Sequence, residues 1–314
     1  MVEQRQIGLG DREAIGHPNP EHKHGELSKR ILIEPQKKSK LTEAIGAIPY
    51  RLALAGGWID QPFVSRHNPN PPGSMVVVSL QPTFRFMDRS GFATGTRDVA
   101  RKIWKDLLPE GEPMTLVREL YRAENEGKPE PSGSQDMVGL IYPGVSRLDY
   151  DFKANGGVFP THMESLNAAS ITQWLEQVLH LLSVAPRPED YNPLGEKNLD
   201  PSWISRLGQT GKDCFDAILR MDANALGVSF NDCMKCWERI LPNTVFHPSL
   251  PVPLKPLLSA YQAQYSGAMY SGCGGGYLIV ASERPVPGSF KVDIRITENV
   301  GRRRAETLPQ HAKP

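Results

Sequence analysis

The sequence of 314 residues has few cysteines, no long apolar run and almost no net charge. Four cysteines are too few to form the disulfide scaffold of a secreted protein of this length. The longest apolar stretches, such as YLIVA at 277–281, have the length of a strand, and the N-terminus has no apolar core of signal-peptide length. The 36 basic and 35 acidic residues do not build the one-signed field that attracts nucleic acid or anionic membranes. These absences predict a cytoplasmic protein that has a small-molecule partner and no nucleic-acid or membrane partner.

The two ends of the chain show no sustained apolar period. Residues 1–44 are polar and rich in charge, His, Gly and Pro, which predicts a flexible N-terminal extension. The C-terminal sequence GRRRAETLPQHAKP predicts a charged, solvated tail, which we assign to 299–314. Between these ends, KANGG at 153–157 interrupts the pattern of helices and strands. We therefore expect two folded parts, 45–155 and 156–298.

Strand-like and helix-like segments alternate in the folded part, which predicts an α+β fold. Thr94 or Thr96 is placed to cap the first predicted helix, which carries Val99, Ile103 and Leu107 at helical spacing. The predicted helices are 96–108, 170–184 and 212–241, and the predicted strands are 51–55, 75–80, 277–283 and 289–296.

Three glycine-containing segments lie far apart in the chain, and a fourth segment carries an aspartate. AGGWID (55–60), SGFATGT (90–96) and SGCGGG (271–276) are each, on their own, most often simple turns. The second precedes a helix, where free N–H groups and the positive end of the helix dipole can hold a phosphate. The fourth segment, PSGSQDM (131–137), presents Asp136 after a turn, where an aspartate is usually a solvated cap.

In their order along the chain, these four segments resemble the motifs of the GHMP superfamily of small-molecule kinases, which includes galactokinase, homoserine kinase, mevalonate kinase and phosphomevalonate kinase. PYRLALAGGWIDQP is similar to the opening motif of the sugar-kinase branch, that of fucokinase and heptose-phosphate kinase. SGFATGTRDVA stands at the place of the phosphate loop, EGKPEPSGSQDMVGLIYPGV resembles the catalytic-aspartate segment, and SGCGGGYLIVA resembles the third motif. The resemblance spans 48–296. It implies a two-lobed fold with a phosphate loop in the N-terminal lobe and a ferredoxin-like C-terminal lobe.

The resemblance also implies an activity and a role for each matching residue. The activity is ATP- and Mg²⁺-dependent phosphoryl transfer to a hydroxyl of a sugar or sugar-like molecule, with Asp136 as the catalytic base and Arg51 beside it. The implied substrate-binding residues are Gly57, Trp58 and Asp60. The implied nucleotide-binding residues are Ser90, Gly91, Ala93, Thr94, Gly95, Thr96, Gly274 and Gly275. The implied magnesium ligands are Thr94, Thr96 and Glu124.

The phosphate loop departs from the family pattern. Phe92, Ala93, Thr94, Gly95 and Thr96 stand where the family has Leu-Gly-Ser-Ser, and alanine fits poorly wherever φ must be positive. The stretch 60–90, which in relatives helps to form the adenine pocket, is also short. Two other functions therefore stay open: a catalytically silent protein that binds a sugar or nucleotide, and a lyase or decarboxylase variant of the fold. The joint retention of Arg51, Asp60, Glu124 and Asp136 favours the kinase.

Overall fold

A computed structural model describes residues 47–296, which form two antiparallel sheets with helices packed against them. The predicted α+β class is confirmed. The strands are β1 (Tyr50–Ala53), β2 (Gly73–Leu80), β3 (Val145–Tyr150), β4 (His162–Leu166), β5 (Leu179–Ser183), β6 (Gly267–Tyr270) and β7 (Tyr277–Ala281). The first sheet has the strand order β1-β2-β3-β4, and the second has the order β5-β7-β6.

The longer helices begin at side chains that satisfy their first N–H groups. Asp200 accepts hydrogen bonds from the N–H groups of Ser202 and Trp203, and Asp222 accepts one from Ala225. The helices are α1 (Pro62–Ser65), α2 (Thr94–Trp104), α3 (Pro113–Asn125), α4 (Gln135–Ile141), α5 (Phe152–Asn155), α6 (Ala169–Val178), α7 (Pro201–Leu219), α8 (Ala223–Ile240) and α9 (Leu254–Gln264), and Pro242–Thr244 forms a 3₁₀ turn.

Strand β2 lies at the centre of the first sheet and is buried along its whole length. It pairs with β1 on one side and β3 on the other, so that Ser79 faces Arg51 across one ladder and Arg147 faces Val76 across the other. Helices α4 and α7 both pack against β2. Because both faces of the strand are covered, its sequence is a nearly continuous apolar run instead of an alternating one.

Helices α7 and α8 form a hairpin that connects the two sheets, since α7 packs on β2 and α8 packs on β6. The approach of α7 to β2 requires glycine. A methyl group on Gly211 would overlap the carbonyl oxygen of Ser74, and one on Gly208 would lie 2.7 Å from the Cα atom of Gly73. The backbone of the helix therefore rests directly on the backbone of the strand.

The structure corrects three of the predicted elements. The helix predicted over 170–184 ends at Val178, and the rest forms strand β5, because Leu179 and Leu181 pair with β7 inside the core. The helix predicted over 212–241 is two helices, separated at residues where Met221 has a φ of 52°. The segment 289–296 forms only single bridges, at Phe290 and Ile294.

The predicted extension (1–44) and tail (299–314) lie outside the described residues. The expected boundary between the two folded parts falls between β3 and β4, which pair with each other in the first sheet. The two lobes stay a prediction. No helix within residues 47–296 combines the length and the apolar character that a membrane span needs.

Gly211→Ala tests the contact between α7 and β2. We expect it to destabilise the fold by about 2 kcal/mol or more, because the added methyl group forces the helix away from the strand. Chemical denaturation measures the change. Gly95→Ala is the matched control, because a methyl group there would meet no atom within 4 Å. It should not lower the free energy of unfolding. Equal stability of Gly211→Ala and the wild type would contradict the close contact.

Candidate active site

The three glycine segments lie together in the structure, although up to about two hundred residues of chain separate them. Gly91 has a φ of 85°, and its Cα lies so close to Ser271 that a side chain would overlap the Ser271 carbonyl group. The hydroxyl of Ser271 donates a hydrogen bond to the carbonyl oxygen of Gly91 at 3.0 Å. The indole N–H of Trp58 donates to the carbonyl oxygen of Gly272 at 2.9 Å. These hydrogen bonds join the segment 271–276 to both of the others, 55–60 and 90–96.

The segments line a solvent-open cavity of about 310 Å³. The cavity brings together Arg51, Trp58, Asp136 and most of the predicted phosphate loop, and it also includes residues that the sequence did not indicate. The lining residues are Arg51, Trp58, Arg89, Gly91, Ala93, Thr94, Gly95, Asp136, Arg187, Tyr191, Pro193, Gly272 and Cys273.

Asp136, in the first turn of α4, is held by two side chains. The guanidinium of Arg51 forms an ion pair with one carboxylate oxygen, and the hydroxyl of Thr96 donates to the other oxygen at 3.2 Å. Arg51 also donates to the carbonyl oxygen of Gly91 at 3.1 Å, so it connects β1, the phosphate loop and α4. Burial lowers the pKa of Arg51 to about 10, which leaves the guanidinium charged at neutral pH.

Asp60 lies behind the cavity and is fully buried. Burial raises the pKa of its carboxyl group to about 6, although the charge of Arg51 opposes this change. One carboxylate oxygen accepts a hydrogen bond from Gln61 at 3.1 Å, and within the described residues the other oxygen has no partner. In this conformation Asp60 is not on the cavity surface, so its implied contact with a sugar stays a prediction.

Glu124 is also separate from the cavity. Its carboxylate accepts a hydrogen bond from the hydroxyl of Ser132 at 3.0 Å and lies 3.6 Å from the ammonium of Lys128. Of the three implied magnesium ligands, Thr94 lines the cavity, Thr96 is buried against Asp136, and Glu124 contacts neither. Within 47–296, no three His, Cys, Asp or Glu side chains form a cluster that could hold a metal ion.

Four other predicted site residues support the backbone around the cavity without lining it. The Gly57 carbonyl oxygen accepts a hydrogen bond from the Trp237 indole at 3.0 Å. The fully buried Ser90 donates to the carbonyl oxygen of Met87 at 2.5 Å. Gly274 and Gly275 lie in the third segment, where Arg187 donates to the Gly274 carbonyl oxygen at 2.9 Å.

The phosphate loop reaches helix α2 through a left-handed residue. Ala93 precedes the helix with a φ of 55°, and no side chain caps the helix start. The prediction that Thr94 or Thr96 is the cap is wrong, because Thr94 accepts a hydrogen bond from the N–H of Arg89 and Thr96 bonds to Asp136. Trp58 and Arg89 also have positive φ values, of 79° and 55°. Backbone strain of this kind concentrates at functional sites.

Arg89, Arg187, Tyr191 and Pro193 line the cavity but lie outside the segments that the sequence analysis indicated. Arg187 lies in the segment VAPRPEDYNP, whose prolines are typical of a loop. Its guanidinium donates to the carbonyl oxygen of Arg89, directly before the phosphate loop, and to carbonyl oxygens of the third glycine segment. These acceptors are backbone carbonyl groups, which every residue has, so the sequence does not show where Arg187 binds.

No protein-family model and no curated protein sequence matches the chain. Among solved structures, galactokinase from Lactococcus lactis in complex with galactose matches with a TM-score of 0.51 and 12% identity, over 80% of this chain and 93% of that chain. D-glycero-D-manno-heptose 1-phosphate kinase from Bacteroides thetaiotaomicron matches with a TM-score of 0.44 and 11% identity, over 79% and 94%. Mevalonate diphosphate decarboxylase from Staphylococcus aureus matches with a TM-score of 0.43 and 11% identity, over 82% and 98%.

The galactokinase match shows that the chain has the fold of the GHMP kinases. This confirms, at the level of the fold, the resemblance inferred from the four segments. At 12% identity the match defines the fold alone, and the function has to be argued from the residues of the site.

Ala93→Gly should stabilise the protein by about 1 kcal/mol, because glycine adopts a positive φ without the steric cost that alanine bears. Urea denaturation measures the change. Ala100→Gly is the control, because it makes the same substitution inside helix α2, which follows Ala93. It should destabilise the protein by about 1 kcal/mol or more. A loss of stability in both variants would show that residue 93 is not left-handed.

The pKa of Asp60 predicts a pH dependence of stability. Folding raises the pKa of Asp60 from 3.8 to about 6, so the protonated carboxyl group stabilises the folded state relative to the ionised one. This stabilisation is complete below about pH 4 and is lost as pH rises through 6. Asp60→Asn imitates the protonated form, so we expect it to be more stable than the wild type at pH 7.5, by an amount on the order of 1–3 kcal/mol, and nearly equal at pH 4.

Denaturation at both pH values measures this difference. Asp88→Asn, whose side chain is 72% exposed, is the control and should show no such pH dependence. If Asp60→Asn were less stable at pH 7.5, the attraction of Arg51 would outweigh the cost of burying the carboxylate.

Proposed function

We propose that this chain is a kinase that transfers a phosphoryl group from ATP, with Mg²⁺, to a hydroxyl of a sugar or sugar-like small molecule. One observation carries the proposal. The carboxylate of Asp136 is held between a permanent cation, Arg51, and the hydroxyl of Thr96, on a cavity whose wall includes the start of α2. A positioned carboxylate beside a phosphate-binding helix start is the arrangement that hydroxyl phosphorylation requires.

Asp136 is the proposed base. The ionised Asp136 carboxylate, paired with Arg51, can accept a hydrogen bond from an acceptor hydroxyl and take its proton. Thr96 fixes the orientation of the second oxygen. The same guanidinium can neutralise charge that develops on a transferring phosphoryl group, since arginine stays protonated at neutral pH.

The residues around the start of α2 fit a nucleotide phosphate. The N–H groups in the first turn of a helix have no intrahelical acceptor, and here Gly91 and Ala93, both with positive φ, bring the chain into that turn at the cavity wall. ATP with Mg²⁺ supplies the phosphoryl group when bound. We assign the phosphate contacts to the N–H groups of Thr94, Gly95 and Thr96.

The magnesium ligands that we propose on this chain are few, as is usual for Mg²⁺ at phosphate sites. Thr94 lines the cavity, and its hydroxyl oxygen is a ligand of the kind that Mg²⁺ accepts. Glu124 can join it only if it gives up its hydrogen bond to Ser132 and its ion pair with Lys128.

A sugar-like acceptor is supported by Trp58, which lines the cavity. Its indole N–H is already bonded to the carbonyl oxygen of Gly272, which fixes the plane of the ring. A fixed aromatic face is a suitable surface for the apolar face of a pyranose. Asp60 lies behind this wall, and its unpartnered oxygen can accept a sugar hydroxyl if the wall opens.

A catalytically silent binding protein is the second candidate. It is favoured by the place of Glu124, which lies away from the cavity, and by Ala93, which keeps the phosphate loop strained. Both features weaken the binding of a metal–nucleotide complex without affecting the cavity that holds a small ligand.

Asp136→Asn should lower the rate of phosphoryl transfer about 100-fold or more, because asparagine accepts a hydrogen bond but does not take a proton. The measurement is a phosphate-transfer assay with Mg-ATP and a panel of sugars, accompanied by ATP titration, in which the affinity should change little. Asp98→Asn, an exposed change of the same charge on α2, is the control. Full activity of Asp136→Asn would contradict its role as base. Wild-type protein that binds a sugar but transfers no phosphate would support the silent binder.

A further inference from the structure

The cavity carries more positive charge than its proposed chemistry needs. Three arginines, Arg51, Arg89 and Arg187, line it, whereas Asp136 is the one carboxylate among its described lining residues. Arg51 and Asp136 form an ion pair with each other. The charges of Arg89 and Arg187 are therefore left without a compensating anion at the cavity surface.

Arg187 is held in place by backbone carbonyl groups. Its Nη2 atom donates to the carbonyl oxygens of Ser271 and Cys273, each at 2.6 Å, and its Nε atom donates to that of Gly274 at 2.9 Å. Carbonyl dipoles orient a guanidinium and replace part of its hydration, but they carry no net charge. Arg187 is thus a fixed cation that lacks a carboxylate partner anywhere in 47–296.

Arg89 and Arg187 hold each other's segments. Arg187 donates to the carbonyl oxygen of Arg89. In return, the Arg89 guanidinium donates to the carbonyl oxygens of Pro188 at 2.9 Å and Tyr191 at 3.2 Å. The acids that follow Arg187 in the chain, Glu189 and Asp190, are exposed and do not line the cavity. The two guanidinium groups are therefore positioned at the cavity before any ligand enters.

We propose that Arg89 and Arg187 form a second phosphate-binding site of the cavity, separate from the start of α2. Two guanidinium groups that share one cavity and lack a carboxylate partner match the charge of a phosphate group. The ligand class is a small molecule that carries its own phosphate, and its description as a phosphorylated acceptor or a polyphosphate tail rests on the proposed function. A neutral sugar would leave both charges uncompensated.

The test is calorimetric titration of the full chain with pyrophosphate. We expect Arg89→Gln and Arg187→Gln each to weaken the binding about 10-fold or more, because each removes charge-assisted hydrogen bonds. Arg85→Gln is the matched control: Arg85 carries the same charge shortly before the phosphate loop, its side chain is 83% exposed, and it does not line the cavity. It should bind pyrophosphate within about twofold of the wild type.

Two further measurements separate a binding role from a structural one. Arg187→Lys keeps the charge but loses the forked contacts, so it should retain part of the affinity that Arg187→Gln loses, whatever its thermal stability. If Arg187→Gln fails to fold, Arg89→Gln, a change of an exposed side chain, carries the test. The proposal is overturned if folded Arg89→Gln binds pyrophosphate as tightly as the wild type, or if Arg85→Gln is weakened equally.

The source of the phosphate is identified by titrating the same variants with glucose 1-phosphate, glucose 6-phosphate and a non-hydrolysable ATP analogue. If the variants lose affinity only for the sugar phosphates, the site binds the phosphate of the acceptor. If they lose affinity only for the nucleotide, the site binds its polyphosphate tail. These titrations need no turnover. If the wild type transfers no phosphate but its pyrophosphate binding depends on the two arginines, the kinase function is rejected and the phosphate site is retained. If the wild type is an active kinase and its pyrophosphate binding does not depend on the arginines, the kinase function is retained and the phosphate site is rejected.

Discussion

The guanidinium of Arg51 is almost completely removed from water, with 4% of the residue exposed, and the site is organised around the acceptors that this buried cation requires. Asp136 supplies one of them and the carbonyl oxygen of Gly91 supplies another. These contacts join strand β1, the phosphate loop and helix α4. Loss of either acceptor would leave the buried cation incompletely compensated, so the geometry of the proposed base depends on the burial of a residue in a neighbouring strand.

Arg51 acts electrostatically on two carboxyl groups that have different surroundings. Asp136 is partly exposed and contacts Arg51 directly, whereas Asp60 is fully buried and feels the guanidinium only through its field. Burial favours the neutral form of Asp60 and raises its pKa to about 6, which leaves the group largely ionised at neutral pH. The two carboxyl groups near this one arginine therefore lie in different electrostatic surroundings, one in direct contact with it and one desolvated behind it.

Much of the fold could be predicted from local pattern, because the apolar run of β2 and the glycines before α2 each determine structure over a few residues. The end of helix α6 could not be predicted: Leu181 and Leu182 continue the helical spacing of Leu175 and Val178, and only the pairing with β7 selects a strand. The resemblance indicated which segments form the site. It did not indicate that Asp60 faces inward or that Arg187 completes the cavity, because both depend on contacts with distant parts of the chain.

The glycine contact between α7 and β2 has a mechanical consequence. Packed elements usually slide past each other through small rotamer changes in the layer of side chains between them. At Gly208 and Gly211 the helix has no side chain to place in such a layer. We therefore expect the first sheet and the helical hairpin to move together, and any motion that admits a ligand to occur in the segments 187–193 and 271–276, which line the cavity.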